Sequence, residues 1–497
     1  MKLTHRSLAI DTLSGELKLW LSAAAGRRFG LLSSLDGNQL IILLLDPGPG
    51  MAELWESPVH NNSYKSLTLR FPQLHWFERI LWDLFGIVPR QHPRLKPIVV
   101  HEQYPPDFFP LRGRQFLPGD ERVERAPVNY MEVHGTGVWE LPVGPIHAGI
   151  IEPGHFRFSC FGETILNLEL YLGYVHRGVE KRMTEVPWQK ARFVAESAGT
   201  DTAAAHALAH AIAIESLFEV EIPAAAQALR TVALEIERVA MHIADIAGIM
   251  TDIGLVGMAA AMAKLRGTAL NTGQLITGSR FLRSYVLPGG VASIPTAAQA
   301  AQVKVSMDEL RKQLKPLLSM LQNNYAALAR MEGIGTVKRS LAMEFGLVGI
   351  AARGSGVNYD TRSHFAHGLY PQEAPLIATE AGGDILARTQ VRIEELWSSL
   401  DIIKKLISTG ADAAVAHISL PEQLPANAQT AGIVESFRGE LIHLCVTGED
   451  GRIKRYVIKD ASFNNWTAIP IAVRNNLIAD FPLCNKSLSL SYSGNDL

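Results

Sequence analysis

Residues 224–250 read AAAQALRTVALEIERVAMHIADIAGIM, and residues 202–218, just before them, read TAAAHALAHAIAIESLF. Both stretches are apolar almost all round, the pattern of central helices in a bundle rather than of helices with one wet face. Alanine-rich faces let helices approach closely, so each polar side chain on them is conspicuous. Glu235, Arg238, His242 and Asp245 stand at offsets 0, 3, 7 and 10, which puts all four on one face and Glu237 on another. A solvated stripe is the bland reading of such a pattern. Here Ala, Val, Ile and Met fill the remaining positions, so the charges should be buried and mutually paired, because an unpaired buried charge is too costly. A structural ion-pair set and a member of a proton relay both remain open.

On the N-terminal side of these helices, residues 155–175 (HFRFSCFGETILNLELYLGYV) have the alternation and aromatic content of a β-hairpin. Further back, residues 38–50 (NQLIILLLDPGPG) form an apolar run stopped by a Pro/Gly turn, as a buried strand would be. Residues 72–87 (PQLHWFERILWDLFGI) place Trp76, Phe77, Ile80, Leu84 and Phe85 on overlapping faces of a helix. The proline-rich stretch 88–114 cannot be regular helix. On the C-terminal side, helical texture runs to about residue 407, and residues 432–463 return to strands, with an EDGR turn at 449–452 between two alternating runs. The expected fold class is α+β. A small α/β N-terminal domain at 1–112 and a linker at 113–135 precede a domain at 136–497, a large helix bundle flanked by β segments.

Composition narrows the function classes. The 497 residues are 47% hydrophobic and 19% charged, enough for a large core and too little charge for disorder. Lys+Arg 47 against Asp+Glu 49 gives a net charge of -2, which argues against nucleic acid as a partner. The most apolar stretch, Ile246 to Met262, is interrupted by Asp252 and is mostly Ala and Gly, not a membrane span. The first twenty residues lack the apolar core of a signal peptide, so a cytoplasmic location is expected. Cys160, Cys445 and Cys484 are the only cysteines and no CxxC occurs, so the chain alone has no thiolate set for an iron–sulfur cluster or a structural zinc. GxxxxGK[ST], a GxGxxG after a strand and HExxH are absent too.

Glu152 lies in GPIHAGIIEPGHFRF (144–158), where a loop enters the first strand of the hairpin. Between Ile150, Ile151, Pro153 and Gly154, its carboxylate is expected to be partly desolvated, which would raise its pKa towards proton-transfer usefulness. A loop carboxylate facing water is the alternative. His147 and His155 accompany it, and GYVHRGVEKRM (173–183) sets Glu180 one turn after His176.

Together these segments carry a resemblance. HWFERILWDLFGIVPRQHPRL (75–95) resembles the signature of the 30-kDa (C-type) subunit of respiratory complex I. GPIHAGIIEPGHFRF, GYVHRGVEKRM, LEIERVAMH, LPGGV, ARGSGVNYDTR, GDILARTQVRIEEL and ESFRGELIH resemble the 49-kDa (D-type) subunit, and equally the large subunit of membrane-bound group 4 nickel–iron hydrogenases. Both parts in one chain, in this order, look like the hydrogenase-4 and formate hydrogenlyase type of large subunit.

The resemblance implies a peripheral-arm subunit on the cytoplasmic side of the inner membrane. It would be held there by a small iron–sulfur subunit, a ferredoxin-like subunit, a quinone-channel-type membrane subunit and antiporter-like membrane subunits. In the hydrogenases, nickel and iron are bound by cysteines in CGxCxxxH and DPCxxC motifs. Aligning the histidine with His206 sets Gly199 and Thr202 at the first pair; aligning the family's terminal aspartate, which follows the second pair, with Asp496 sets Ser491 and Gly494 at that pair. None of these supplies a thiolate, so neither nickel, nor hydrogenase activity, nor a tail for cofactor-linked cleavage after Asp496 is expected.

The complex I quinone tyrosine aligns with Thr200, and neither His147 nor His155 aligns cleanly with the quinone-contacting histidine. What carries over is Glu152, matching the hydrogenases' proton-transfer glutamate, together with Glu235, Arg238 and His242, while Asp201 adds a carboxylate that either compensates chemically or caps the helix. The candidate catalytic set is thus Glu152, His155, His206, Asp201, Glu235, Arg238 and His242, with His147 and Thr200 towards a quinone-type acceptor. The cluster would sit in a partner subunit and none in this chain. The first reading is a subunit that lines an acceptor cavity and couples electron transfer to proton or ion translocation. The second is a connector that transmits conformational or protonation changes without redox chemistry, and a hydrogenase with an unconventional metal site is the third.

Overall fold

In the computed structural model, residues 3–113, 115–123, 128–149, 151–373 and 375–497 are described. Arg114 and residues 124–127 of the expected linker, and Ile150 beside Glu152, lie outside them. The N-terminal part is a four-stranded sheet in the order β1-β4-β3-β2, formed by β1 (Leu3–Ser7), β2 (Arg28–Ser34), β3 (Gln39–Asp46) and β4 (Met51–Pro58). The run LIILLL makes β3 a central strand buried from Leu40 to Asp46, because both faces of the sheet are covered. Helix α1 (Ile10–Ser22) buries Leu13, Leu17 and Trp20, and Trp20 meets Trp55 edge-on with ring centroids 6.2 Å apart.

Two short strands, β5 (Ser63–Lys65) and β6 (Val88–Arg90), bracket α2 (His75–Phe85). Helix α2 is buried on its charged positions as well as its apolar ones, and the charges hold non-helical chain. Asp83 Oδ2 accepts from the backbone N–H groups of Ile98, Val99 and Val100 at 2.7–3.0 Å, and Arg79 donates to Lys96 O and Pro97 O. The proline-rich stretch beyond β6, which is not part of a ladder, is therefore fastened by the helix.

The expected hairpin forms the central and one edge strand of a three-stranded antiparallel sheet, β7 (Val138–Val143), β8 (His155–Phe161) and β9 (Thr164–Tyr171), in that order. Helices α3 (Val179–Glu185) and α4 (Trp188–Glu196) lead to α5 (Ala203–Phe218), α6 (Ala224–Asp252) and α7 (Val256–Thr277). A tight hairpin of β10 (Val286–Leu287) and β11 (Gly290–Val291), turning at Pro288 and Gly289, precedes α8 (Ala297–Gln322). Short helices α9 (Tyr325–Ala329), α10 (Arg339–Glu344), α11 (Gly349–Arg353) and α12 (Thr361–His364) then reach α13 (Ile385–Gly410). Helix α6 packs between α13 and α7, with α8 against both of those.

The C-terminal part is an antiparallel sheet of β12 (Gln429–Ser436), β13 (Gly439–Thr447) and β14 (Ile453–Lys459). It ends in α14 (Ala461–Asn465), α15 (Ala468–Val473), α16 (Phe481–Leu488) and α17 (Tyr492–Asn495). The alanines of α5 serve this sheet: a Cβ on Gly432 of β12 would stand 1.9 Å from Ala209 O, so strand and helix backbones touch directly. The fold class is the expected α+β.

The N-terminal sheet leans on the C-terminal one. Phe463 packs on Phe77 and Trp76, and Arg455 of β14 donates to Ser34 O at 3.0 Å, Ser33 Oγ at 2.9 Å and Glu180 Oε2 at 2.8 Å. Among the described residues no helix is long and apolar enough to cross a membrane. Because Arg455 and Glu180 are both buried, Arg455→Ala leaves a carboxylate without its cation and should cost about 3–5 kcal/mol. A lowered Tm and faster proteolytic release of the N-terminal part are the expected outcomes, read by thermal unfolding and limited digestion.

Candidate functional site

Three groups of polar side chains make up the candidate site, two of them at the start of α5 and its approaches and the third on α6, and each is made by chain segments far apart in sequence. The first lies at the mouth of the β7–β8 loop. Glu152 Oε2 accepts from the Ser493 backbone N–H at 3.2 Å, and Arg177 donates to the carbonyls of Ser197, Ala198 and Ser493. Glu152 itself is exposed, contrary to the expected desolvation: Ile151 and Pro153 are only half-buried and leave its carboxylate in water. The desolvated carboxyl is its neighbour Asp496, fully buried and accepting from the N–H groups of Gly173 at 2.7 Å and Val175 at 3.3 Å. Burial, with a smaller push from Glu152, raises Asp496 from the ordinary 3.8 to about 7. His147 Nε2 bonds Gly154 O at 2.7 Å and His155 Nδ1 bonds Gly144 O at 3.3 Å, so both histidines brace their own loop.

The second group gathers the positions that the resemblance sets at the hydrogenase ligands. A Cβ on Gly199 would stand 2.1 Å from Thr202 Oγ1 and 3.3 Å from His206 Nε2; one on Gly494 would stand 2.8 Å from Asp460 Cγ and 3.1 Å from Ser491 Oγ. His206 Nε2 and Asp460 Oδ2, 3.2 Å apart, join the two halves. Gly199, Thr202, Ser491 and Gly494 therefore do meet, around a buried His206–Asp460 pair. Their donors, two hydroxyls and no thiolate, do not fit a nickel–iron centre, which is thiolate-bound. The three cysteines are buried on β8, β13 and α16, with burial raising Cys445 to about 12 and Cys484 to about 11. Among the described residues no set of three or more His, Cys, Asp and Glu side chains is placed to hold a metal ion.

Asp201 does not cap α5: Arg438 takes it in a two-pronged pair at 2.7 and 2.6 Å. The cap comes instead from Glu237, the residue on the other face of α6. Its Oε2 accepts from Ala204 N–H at 2.7 Å and its Oε1 from Ala205 N–H at 3.3 Å. Burial, with Asp201 as a lesser cause, lifts Glu237 to about 8. Thr200 is exposed, and the cleft it lines with Asp201, Glu237, Arg280 and Phe281 holds about 10 Å³, the room of one water and not of a quinone headgroup.

The third group is the stripe on α6, and it is buried and paired. Arg238 reaches Glu235 at 3.2 Å, Glu395 at 3.4 Å and the carbonyls of Glu435 and Ser436, while His242 Nε2 lies 2.9 Å from Glu395. Arg353 pairs with Glu395 at 2.6 Å and Glu435 at 2.7 Å, and Arg362 with Asp360 at 2.7 Å and Glu235 at 3.3 Å. The guanidinium groups hold Glu235 and Glu395 below the ordinary carboxylate range against burial. Burial lowers His242. Asp245, half-buried, leaves this set and pairs with Arg392 at 3.0 Å and Ser489 at 2.7 Å. Glu235, Arg238 and His242 thus come together with each other and not with Glu152 or Thr200.

Sequence reasoning missed Asp460, Arg438 and Glu237 as members of the site, and used Asp496 only to align the family motif. Of the three, Asp460 had a local signal, the Asp-Ala-Ser start of α14, whose Ser462 N–H it binds at 2.7 Å.

With this geometry in place, comparison with known proteins assigns the chain. The model of the 30-kDa subunit of respiratory-chain NADH dehydrogenase matches residues 52–121, and that of the 49-kDa subunit matches residues 252–496. The chain thus carries a 30-kDa-like and a 49-kDa-like complex I domain fused in one polypeptide. It is 27% identical to formate hydrogenlyase subunit 5 of Escherichia coli, over 96% of this chain and 84% of that protein. It is 27% identical to hydrogenase-4 component G of Escherichia coli (88% and 76%) and 26% to the C/D-type subunit of NADH-quinone oxidoreductase from a Sulfurihydrogenibium species (89% and 85%). A chain of the membrane-bound sulfane sulfur reductase, an archaeal respiratory membrane complex, superposes with a TM-score of 0.69 at 26% identity, over 73% of this chain and 99% of that one. The relatives are thus subunits of membrane-bound hydrogenases and complex I-like assemblies.

The Glu237 cap carries a pH signature. Its pKa is about 8 folded against an ordinary 4.5, so between those values the folded state holds a proton that the unfolded state has released, and stability falls as pH rises. Glu237→Gln keeps an acceptor for the α5 N–H groups and cannot ionise. Its Tm should decline less than the wild type's across that window; parallel Tm curves would remove Glu237 as a neutral cap.

Proposed function

We propose that this chain is the peripheral-arm subunit of a complex-I-like, hydrogenase-4-like membrane oxidoreductase, that it holds no nickel–iron centre, and that it couples electron transfer to proton or ion translocation. The observation that supports the coupling is the pairing at the C-terminal segment. Glu152, open to water, and Asp496, raised to about 7, both bond backbone N–H groups of the strand-and-loop frame around residues 173–175 and 493. A carboxyl that titrates near neutrality beside an exposed one is suited to take a proton from water and pass it inward. His155, lowered by burial, and His147 fix the loop that carries Glu152. In this reading a quinone-type or other small acceptor would be received where the Glu152 loop meets a partner subunit. Electrons would come from an iron–sulfur cluster in a small subunit, with a ferredoxin-like subunit upstream and quinone-channel-type and antiporter-like subunits in the membrane. The chain would sit on the cytoplasmic side.

A second reading is favoured by one observation. The cleft beside Thr200, between Asp201, Ile236, Met241 and Phe281, has room for one water only, which suits a connector that transmits protonation or conformational changes and carries no redox centre.

The test uses the complex purified from membranes with its natural partners, a low-potential artificial donor, and iron and nickel measured on the same sample. Nickel-free, quinone-dependent turnover supports the first reading; absence of iron and of turnover supports the connector. Within an active complex, Glu152→Gln should lower turnover about 10²-fold or more while the subunits stay assembled, the usual loss for a general acid–base group. Asp496→Asn should remove a limb of the pH profile near 7. Unchanged turnover in Glu152→Gln would remove that residue from the proton path.

A further inference from the structure

A line of five buried side chains runs along α5, and beyond the His206–Asp460 pair its members have no part in the reading above. His206 and His210 stand one helical turn apart on the face of α5 that meets the C-terminal sheet, about 6 Å along the axis. His206 Nε2 is 3.2 Å from Asp460 Oδ2, and its Nδ1 is 2.9 Å from Nε2 of His443 on β13. His443 Nδ1 is 3.0 Å from the Tyr456 hydroxyl on β14, and that hydroxyl is 2.8 Å from His210 Nδ1. All five side chains are fully buried, and His210 Nε2 finds no partner among the described protein groups.

We propose that Asp460, His206, His443, Tyr456 and His210 form a proton wire along α5, which moves one proton between His210 Nε2 and the His206–Asp460 pair. The donor–acceptor accounting fixes how. An ionised Asp460 only accepts, so His206 carries its proton on Nε2. Its Nδ1 then accepts from His443 Nε2–H, His443 Nδ1 accepts from Tyr456 O–H, and Tyr456 accepts from His210 Nδ1–H. Every bond is satisfied once, and the free end is the lone pair of His210 Nε2.

A proton arriving there moves each bridging proton one place. His210 Nδ1–H passes to the tyrosine oxygen, the tyrosine proton to His443 Nδ1, and the His443 Nε2 proton to His206 Nδ1. The result is an imidazolium at His206 against the Asp460 carboxylate, with His443 and His210 neutral again in the opposite tautomer. No bond between heavy atoms changes and no second reactant is needed.

The surroundings set the direction. Asp460 is held below the ordinary range against its burial, chiefly by His206 and then by Arg438. Burial lowers His443 well below the ordinary value, with His206 and His210 adding to it, and burial lowers His210 to about 3, with Arg192 of α4 adding to it. Tyr456 is raised by burial, with Cys445 opposite it on β13. The middle and outer positions therefore reject charge, and the only compensated seat is His206. An unpartnered buried imidazole nitrogen is costly, and an apolar side chain at position 210 would avoid that cost. The wire is independent of which acceptor, if any, the complex uses.

The test is nitrogen-15 solid-state NMR of the assembled complex, with this chain labelled at histidine and signals assigned by single His→Gln variants. At the alkaline end the expected tautomers are Nε2–H for His206 and His443 and Nδ1–H for His210. On acidification His206 should become doubly protonated while His443 moves to Nδ1–H and His210 to Nε2–H, all three with one midpoint. Tautomers of His443 and His210 that stay fixed while His206 titrates would overturn the wire. So would the absence of any change before the complex unfolds. Tyr456→Phe removes the bridging hydroxyl and should uncouple His210 from the other two; a His210 that still follows them would count against the proposal. The wild-type titration decides the question even if that variant fails to fold.

Discussion

Glu395 is the hinge-pin of the bundle's electrostatics. Arg353 at 2.6 Å, His242 at 2.9 Å and Arg238 at 3.4 Å converge on it, all fully buried. Around it, Glu235, Asp360, Glu395 and Glu435 face Arg238, Arg353 and Arg362, four carboxylates against three guanidinium groups. Such a set is stable only if nearly every lone pair and N–H is used, since desolvation of each ion costs several kcal/mol. Tyr370 and Ser399 complete Glu235, and Thr361 completes Glu435. The surplus charge falls on Glu435, whose carboxyl is raised by burial and by Asp360. The network ties α6, α13, β12 and the 353–362 segment into one body.

What the network positions is the β12–β13 turn. Arg238 donates to the carbonyls of Glu435 and Ser436, two residues before Arg438. The turn is pinned from the other side by Gly349, where a Cβ would stand 1.9 Å from Arg438 O and where φ is +58°, so only glycine fits. With its backbone clamped twice, Arg438 has its guanidinium aimed at Asp201 at the start of α5. The ion-pair set on α6 and the filled region around His206 are therefore mechanically continuous, although no predicted catalytic side chain of one touches the other.

This arrangement explains what the sequence disclosed and what it did not. The four charges at 235, 238, 242 and 245 were legible because helical spacing is local and their neighbours are apolar. Their partners were not, because Glu395, Arg353 and Glu435 lie more than a hundred residues away and pair through tertiary packing. Glu237 looked like the odd residue on the wrong face; that face is the one against α5, where it meets the N–H groups of Ala204 and Ala205. Glu152 was expected to be desolvated by Ile151 and Pro153, yet sequence neighbours do not bury a loop residue when the loop stands at an edge. The third strand, β7, was missed because its six residues, VWELPV, contain a proline and alternate weakly.

Three carboxyls, Glu237 at about 8, Asp496 at about 7 and the raised Glu435, share one physical cause: burial without a cation of their own. Each is compensated by backbone N–H groups, which stabilise a carboxylate only partly, or competes with another carboxylate for one arginine. Glu237 and Asp496 brace opposite ends of the same region, the start of α5 and the C-terminal segment, and Glu435 sits in the strand between them and α6. A proton added to any of them weakens the charge repulsion that Asp201, Glu152 or Asp360 exerts on it, and so loosens or tightens the pairs those residues make with Arg438, Ser493 and Arg353. Protonation of any of these three buried carboxyls therefore acts on its neighbours' pairing through contacts that already exist.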